Sequence, residues 1–197
     1  MKILVTGGAG FVGTNLIKRL VKNDEVVSID NYSTGFRINE QENCTYITGD
    51  IRDMDFWKNR LQKMKLIPDI IIHLAALPRI KPSFDNPKDV IDVNVIGTTN
   101  ILDFARDNAI PMIYAGSSSF WGGVYKNPYT FSKWQGEELC KMYEQIYGLN
   151  VTICRFYNVY GDYMATEGEY RTAISIFLEQ YRSGEPLTIT GDGEQRR

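Results

Sequence analysis

A glycine-rich turn close to the first residue limits the possible folds more than any other part of the sequence. The apolar run Ile3–Thr6 predicts a β-strand, and the segment Gly7–Gly13 leads from it into a helical pattern over Phe11–Lys22. The glycines of this segment fit both G-x-G-x-x-G and G-x-x-G-x-x-G. Glycine lets phosphate groups approach the main chain, and the amides and dipole of the following helix face negative charge. A strand, a glycine turn and a helix in this order therefore predict a site for the pyrophosphate of a dinucleotide.

Short apolar runs alternate with longer helical patterns along the rest of the chain, which is typical of βαβ units and a parallel sheet. The predicted strands are Ile3–Thr6, Val26–Ile29, Tyr46–Thr48, Ile70–Leu74, Pro111–Ala115, Val151–Arg155 and Leu187–Thr190. The predicted helices are Phe11–Lys22, Asp53–Lys65, Pro87–Asp107, Tyr129–Tyr147 and Arg171–Ser183. We therefore predict an α/β protein with a Rossmann-type, doubly wound parallel sheet.

Composition and charge exclude several classes of partner. The formal net charge of −2 gives no reason to expect a nucleic acid or an anionic membrane. No apolar run reaches the roughly 18 residues that span a bilayer. Cys44, Cys140 and Cys154 are widely spaced and His73 is the single histidine, so we expect neither a disulfide framework nor a metal site. A cytoplasmic protein is the expectation.

Two acidic residues follow predicted strands where an adenosine would lie. Asp30 ends the second strand, about 20 residues after the glycine turn, where a carboxylate accepts hydrogen bonds from the ribose hydroxyls. Because a carboxylate also repels a 2′-phosphate, Asp30 favours NAD over NADP; the alternative is a turn-forming residue. Asp50 follows the third strand, where it either reaches the adenine or forms a structural turn.

A tyrosine and a lysine mark a candidate catalytic site. Tyr129 and Lys133 are four residues apart and share one face of a predicted helix. A nearby ammonium lowers the pKa of a phenol, which can then act as a general base. Ser117, Ser118 and Ser119 end the fifth strand, where a serine can bind the same substrate oxygen. The alternative is a serine-rich turn beside a surface lysine.

Further segments complete a resemblance to a known family. His73–Ala76 and Asn94–Thr98 stand in order between the glycine turn and Tyr129. The chain resembles the extended short-chain dehydrogenases/reductases, in particular the NAD-dependent nucleotide-sugar epimerase/dehydratase family and its UDP-glucose 4-epimerase-like members. The resemblance implies NAD as cofactor, a nucleotide-diphosphate sugar as substrate and a homodimer. It also implies a Rossmann domain over residues 1–160 and the beginning of a truncated substrate-binding lobe over residues 161–197.

The resemblance carries the roles of the family onto matching residues. It implies cofactor contacts from Gly7, Gly10, Phe11, Val12, Gly13, Asp30, Asn31, Asp50, Ile51, Leu74, Ala75, Ala76, Asn94, Tyr129, Lys133 and Phe156. It implies Ser117, Tyr129 and Lys133 as catalytic residues, and Ser117, Ser119, Asn158 and Arg197 as substrate-binding residues.

The residues after Ser117 favour one reaction of the family. Related 4,6-dehydratases have an Asp-Glu pair directly after the catalytic residue and uronate decarboxylases have a Glu two residues after it, whereas this chain has Ser118 and Ser119. We therefore predict epimerisation, with C4 as the favoured centre, through a 4-keto sugar. A dehydratase, a decarboxylase, a reductase and a non-catalytic dinucleotide-sensing module stay open as alternatives. Arg79 and Lys81 stand where small or uncharged residues are common in the family, which raises an acidic sugar as an option.

Overall fold

The centre of the structure is a six-stranded, entirely parallel sheet in the order β3-β2-β1-β4-β5-β6. The computed structural model describes residues 1–166, 168, 171–189 and 191–194. The strands are β1 (Lys2–Thr6), β2 (Glu25–Asp30), β3 (Cys44–Thr48), β4 (Ile70–His73), β5 (Met112–Ser117) and β6 (Val151–Phe156). This order is that of a doubly wound Rossmann sheet, in which the direction of winding reverses between β1 and β4. The predicted fold class is confirmed.

Helices cover both faces of the sheet, as parallel strands require. They are α1 (Phe11–Leu20), α2 (Leu61–Lys63), α3 (Ile80–Asp85), α4 (Pro87–Ile91), α5 (Thr98–Asp107), α6 (Pro128–Tyr147) and α7 (Ala173–Ser183). Wider π-helical turns over Phe56–Arg60 and Asp92–Gly97 lead into α2 and α5. The helix predicted over Pro87–Asp107 is therefore continuous, with a π-helical turn in its middle. Helix α3 was not predicted from the sequence, because it is too short for a periodic pattern.

Two apolar clusters, one on each face, hold the sheet between the helices. One cluster includes Leu4, Ile71 and Trp57, and the other includes Val5 and Ile17. Leu4 and Val5 are neighbours on β1 that point to opposite faces, and both are fully buried. A strand buried on both faces has no polar alternation, which explains the continuous apolar run at the start of the chain.

The strand predicted over Leu187–Thr190 is wrong for the residues that the structure describes there. Leu187–Ile189 have no regular secondary structure, and Thr190 lies outside the described residues. The backbone amide of Thr188 donates to Oε1 of Gln180 on α7 at 3.1 Å, so a side chain takes the place of a neighbouring strand. An apolar, β-branched run becomes a strand only where another strand pairs with it. The division into two domains at residue 160 stays a prediction.

In the described part of the chain, no helix has both the length and the apolar character needed to cross a bilayer.

Candidate active site

A cleft of about 1030 Å³ opens at the carboxyl ends of the strands, beside the point where the winding reverses. Open α/β sheets bind their ligands in this place. The predicted site residues that line it are Gly7, Gly10, Phe11, Val12, Gly13, Asp30, Asn31, Ile51, Leu74, Ala75, Ala76, Ser117, Ser119, Tyr129, Lys133, Phe156 and Asn158. Asp50 and Asn94 are not among the lining residues, and Arg197 lies outside the described residues.

The glycine turn forms one end of the cleft from backbone alone. Gly7 adopts a positive φ of 74°, and a Cβ on it would lie 2.8 Å from the backbone of Ala75. A Cβ on Gly13 would lie 2.3 Å from the carbonyl oxygen of Gly7, closer than real contacts allow. Gly10 precedes α1 and provides no side-chain cap, so the first amides of the helix stay available to a ligand. The turn therefore fits a pyrophosphate.

Asp30 braces the glycine turn and faces the cleft at the same time. Its Oδ2 accepts a hydrogen bond from the backbone amide of Ala9 at 2.9 Å, and its Oδ1 accepts one from Tyr32 at 2.8 Å. An ionised carboxylate has about four acceptor positions, so two stay available to ribose hydroxyls. The turn-forming role and the ribose-binding role are thus compatible.

Asp50 is engaged in an ion pair behind the cleft wall. Nε and Nη2 of Arg52 donate to its two oxygens at 3.0 and 2.7 Å. Asn31 donates to Oδ2 at 3.0 Å. The hydrogen bonds from Arg52 lower the pKa of Asp50 to about 2 despite partial burial. The structure therefore places Asp50 where it orients Asn31, while Ile51 faces the cleft.

Asn94 fixes the segment that follows β4. It lies in the π-helical turn Asp92–Gly97, a type of turn that often occurs at functional sites. Its Oδ1 accepts a hydrogen bond from the amide of Leu77 at 2.8 Å, and its Nδ2 donates to the Leu77 carbonyl and to Oγ of Ser132 on α6. The buried side chain of Asn94 thus links the segment after β4 to α6.

Tyr129 and Ser117 come together at the other end of the cleft. The hydroxyl of Tyr129, in the first turn of α6, lies 3.4 Å from Oγ of Ser117 at the end of β5. Ser117 also contacts Oγ of Ser119 at 2.9 Å and accepts from its amide at 3.2 Å. Burial raises the pKa of Tyr129, and the hydrogen bond with Ser117 and the positive charge of Arg79 oppose this rise.

Lys133 lines the cleft one turn of helix after Tyr129. Its Nζ lies 4.3 Å from the centre of the Tyr114 ring. Burial lowers the pKa of Lys133 to about 8. The role predicted for Lys133, to supply the charge that favours the phenolate, stays a prediction; in this structure the positive charge of Arg79 opposes the rise in the pKa of Tyr129. Lys81, the other unusual cation, is exposed and does not line the cleft.

An ion pair that the sequence analysis missed supports the catalytic end. Nε and Nη2 of Arg155 on β6 donate to Oε2 of Glu137 at 2.9 and 2.7 Å, and the Glu137 side chain is 1% exposed. Oε1 of Glu137 accepts a longer hydrogen bond from the amide of Ser117, at 3.4 Å. The guanidinium lies 4.7 Å from the centre of the Phe120 ring. Glu137 follows Lys133 by four residues, so helical spacing was the available signal.

The strand order, the glycine turn and a serine beside a tyrosine at the sheet edge define a dinucleotide-binding α/β protein with a candidate catalytic pair. Residues 3–197 match the model of the NAD dependent epimerase/dehydratase family, and the chain belongs to this family. NAD is therefore its cofactor, as the sequence predicted.

Relatives and solved structures agree on the family and differ in the reaction. The chain is 36% identical over 212 residues to a putative UDP-glucose 4-epimerase of Methanocaldococcus jannaschii, covering 99% of this chain and 68% of the relative. It is 32% identical to a UDP-N-acetyl-alpha-D-glucosaminuronate decarboxylase of Bacillus cytotoxicus, covering 100% and 66%. The crystal structure of a Thermotoga maritima UDP-glucose 4-epimerase with UDP-glucose is similar at a TM-score of 0.91 and 28% identity, covering 98% and 67%. The chain thus spans about two thirds of the length of these proteins.

Proposed function

We propose that the protein catalyses NAD-dependent epimerisation of a nucleotide-diphosphate sugar, at C4, through a 4-keto sugar. The observation that carries the proposal is the pairing of the Tyr129 hydroxyl with Oγ of Ser117, 3.4 Å apart, in the wall of the cleft that the glycine turn closes at its other end. A protein that only senses a dinucleotide needs the glycine turn, but it has no use for this pair.

The chain's own residues supply the proton transfer. When bound, NAD⁺ supplies a hydride acceptor that can return the hydride to either face of the sugar carbon. Tyr129 takes the proton of the sugar hydroxyl and later gives it back. Ser117 donates a hydrogen bond to the same oxygen, which fixes the sugar against the phenol. Lys133, buried one helical turn further on, holds the ribose of the cofactor beside them.

The residues beside Ser117 favour epimerisation over elimination or loss of CO₂. Elimination of water needs an additional acid and base close to the sugar. Ser119 lines the cleft and is hydrogen-bonded to Ser117, and neither Ser118 nor Ser119 titrates near neutral pH. Among the described residues that line the cleft, the acidic one is Asp30, which lies at the glycine turn.

The test is replacement of Tyr129 by Phe, which removes the hydroxyl and keeps the ring. We expect turnover of the nucleotide sugar to fall at least ~100-fold, with NAD binding within about threefold of wild type. Tyr125→Phe is the matched control, because Tyr125 is 82% exposed and should be silent. Unchanged turnover in Tyr129→Phe would exclude the tyrosine as the base.

Product analysis separates the alternatives. Wild-type protein with NAD⁺ and a panel of UDP-, dTDP- and GDP-sugars should give a C4 epimer. Release of water identifies a dehydratase and release of CO₂ a decarboxylase; in a parallel assay supplied with NADH, its net consumption identifies a reductase. NAD binding with no turnover of any sugar in the panel would favour the sensing module.

We also propose a homodimer. The helical segments Pro87–Asp107 and Tyr129–Tyr147, the ones through which a dimer of this family would form, carry exposed apolar side chains that a partner would cover, among them Ile96, Met142 and Ile146. Sedimentation of the purified protein should give twice the mass of one chain, and a monomer would contradict this arrangement.

A further inference from the structure

We infer that His73 is a positioning residue of the cofactor cleft, and that it acts as a neutral imidazole whose proton is on Nε2. In this form it links the backbone of Ala75, which lines the cleft, to the backbone of Asn94 through two threonine hydroxyls. The inference does not rest on the proposed function, because it concerns how the site for NAD is held in place.

His73 lies where the two halves of the sheet meet. It ends β4 and is paired with Thr6 at the end of β1, and the winding of the sheet reverses between these two strands. The residues that follow His73 line the cleft, and a Cβ on Gly7 would lie 2.8 Å from the backbone of Ala75. A group that fixes Ala75 therefore fixes the wall against which the glycine turn packs.

A continuous chain of hydrogen bonds passes through the imidazole ring. The amide of Ala75 donates to Oγ1 of Thr6 at 3.2 Å, and this oxygen lies 2.7 Å from Nδ1 of His73. On the other side of the ring, Nε2 lies 3.0 Å from Oγ1 of Thr98, which donates to the carbonyl oxygen of Asn94 at 2.7 Å. Both threonines and the histidine are at most 1% exposed, so solvent offers no substitute partner.

The two ends of this chain fix its direction, because a backbone amide only donates and a carbonyl oxygen only accepts. The single hydroxyl proton of Thr98 lies towards the carbonyl of Asn94. Thr98 therefore accepts from His73, and Nε2 carries the ring proton. Nδ1 is then the acceptor and receives the hydroxyl proton of Thr6, which itself accepts from Ala75.

The other neutral form of the ring leaves two defects. With the proton on Nδ1, the hydroxyl of Thr98 would have to donate to Nε2, and no proton would remain between the oxygens of Thr98 and Asn94, which are 2.7 Å apart. The hydroxyl of Thr6 would also lose the acceptor that His73 provides. Buried polar groups without a partner are costly, so the Nε2 form is favoured.

The surroundings of the ring also oppose a positive charge on it. Burial lowers the pKa of His73 to about 3, and the positive charge of Lys133 on α6 acts in the same direction. The ring of Tyr114 on β5 lies 5.7 Å from that of His73, and burial raises the pKa of this tyrosine, which therefore stays uncharged. The imidazole is thus neutral at pH 7.

The first experiment detects the ring proton directly. Nitrogen-15 NMR distinguishes the two neutral forms of histidine from each other and from the cation. The chain has one histidine, so the signal of the full chain, labelled at histidine and saturated with NAD, belongs to His73. At pH 7 we expect a neutral ring with its proton on Nε2. A proton on Nδ1, or a cationic ring, would overturn the inference.

The second experiment tests whether the link positions the cofactor wall. Thr98→Val keeps the shape of the side chain and removes the acceptor of Nε2, so Ala75 should be held less firmly before NAD binds. Binding then has to restore the arrangement, which lowers the affinity. We expect calorimetry to show NAD binding about tenfold weaker than in wild type, and NMR to show that the ring no longer has its proton on Nε2 alone.

Thr99→Val is the matched control for Thr98→Val. The hydroxyl of Thr99 donates to the carbonyl oxygen of Val95, four residues earlier, at 2.9 Å, which is the same kind of bond as that of Thr98, and it does not involve the histidine. This variant should keep the wild-type NMR signal and bind NAD within about twofold of wild type.

Thr98→Ser separates the hydroxyl from the packing of the side chain. It should keep the proton on Nε2 and bind NAD within about threefold of wild type. Thr6→Val breaks the link on the other side of the ring, should weaken NAD binding to a similar degree, and replaces Thr98→Val if that variant does not fold.

Two further outcomes would contradict a positioning role. One is a Thr98→Val variant with an unchanged NMR signal and unchanged NAD affinity. The other is a Thr98→Ser variant that binds NAD as weakly as Thr98→Val, since packing alone would then explain the loss. None of these readouts requires turnover of a sugar, so the result is independent of whether the protein is an epimerase.

Discussion

The two ends of the cleft are built by different means. The glycine turn shapes its end with backbone atoms, and an added methyl group at Gly13 would meet the carbonyl of Gly7 at 2.3 Å. The catalytic end is shaped by side chains, with Ser117 and Tyr129 supported from behind by the pair of Glu137 and Arg155. We therefore expect the glycine turn to be disrupted by an added atom, and the catalytic end by the loss of a charge.

The largest expected effect comes from crowding the backbone end. Gly13→Ala should weaken NAD binding at least ~100-fold, because the methyl group pushes the turn away from the helix that it adjoins. The measurement is calorimetric titration with NAD. Gly122→Ala is the matched control, since a Cβ there meets nothing within 4 Å. Binding by Gly13→Ala within threefold of wild type would show that the turn tolerates added atoms and would remove the contrast between the two ends.

Removing a charge from the catalytic end should have the next largest effect. Arg155→Met leaves Glu137, which is 1% exposed, without its cation. An isolated buried charge costs about 3 kcal/mol or more, and we expect a loss of about 2 kcal/mol in the free energy of unfolding because Arg155 is itself partly exposed. Urea denaturation measures this loss.

The control for Arg155→Met is Lys141→Met, which breaks an ion pair with Glu138 that is exposed on the same helix. Such pairs contribute about 0–1 kcal/mol, so this variant should stay close to wild type. Equal losses in the two variants would mean that burial of Glu137 contributes nothing, and the catalytic end would then not depend on the pair.

A smaller effect on stability is expected from His73, which lies at the end of β4, between the glycine turn and the catalytic end of the cleft. It is buried between the hydroxyls of Thr6 and Thr98, and burial lowers its pKa from 6.5 to about 3. The unfolded chain therefore binds a proton below pH 6.5 that the folded chain does not. Between pH 7 and 5.5 the free energy of unfolding should fall by roughly 1.3 kcal/mol, following proton linkage.

The measurement is urea denaturation at several pH values between 7 and 5.5. His73→Gln should remove this pH-dependent part, and the assignment is direct because the chain has one histidine. A wild-type protein whose stability is flat across this range would contradict a neutral, buried histidine.

The same contrast explains how much could be predicted from the sequence. The glycine turn and the strands around it follow from local patterns, so the fold class and NAD as the cofactor were predictable. The hydrogen bonds of Asn94 with Leu77 and Ser132 depend on which groups meet across the fold, and local spacing does not contain that information. The sequence left Asp50 between the adenine and a structural turn, and the structure pairs it with Arg52. The strand predicted over Leu187–Thr190 failed for the same reason, because strand formation depends on a partner.

The buried amide of Asn94 has a consequence for how the catalytic end can move. It joins Leu77, two residues before Arg79, to Ser132, whose hydroxyl in turn donates to the carbonyl oxygen of Tyr129 at 2.8 Å. The segment that carries Arg79 and the helical turn that carries Tyr129 are thus joined by one continuous chain of hydrogen bonds. A motion that separates the Leu77 backbone from the first turn of α6 would have to break one of these hydrogen bonds, so we expect the two segments to move together.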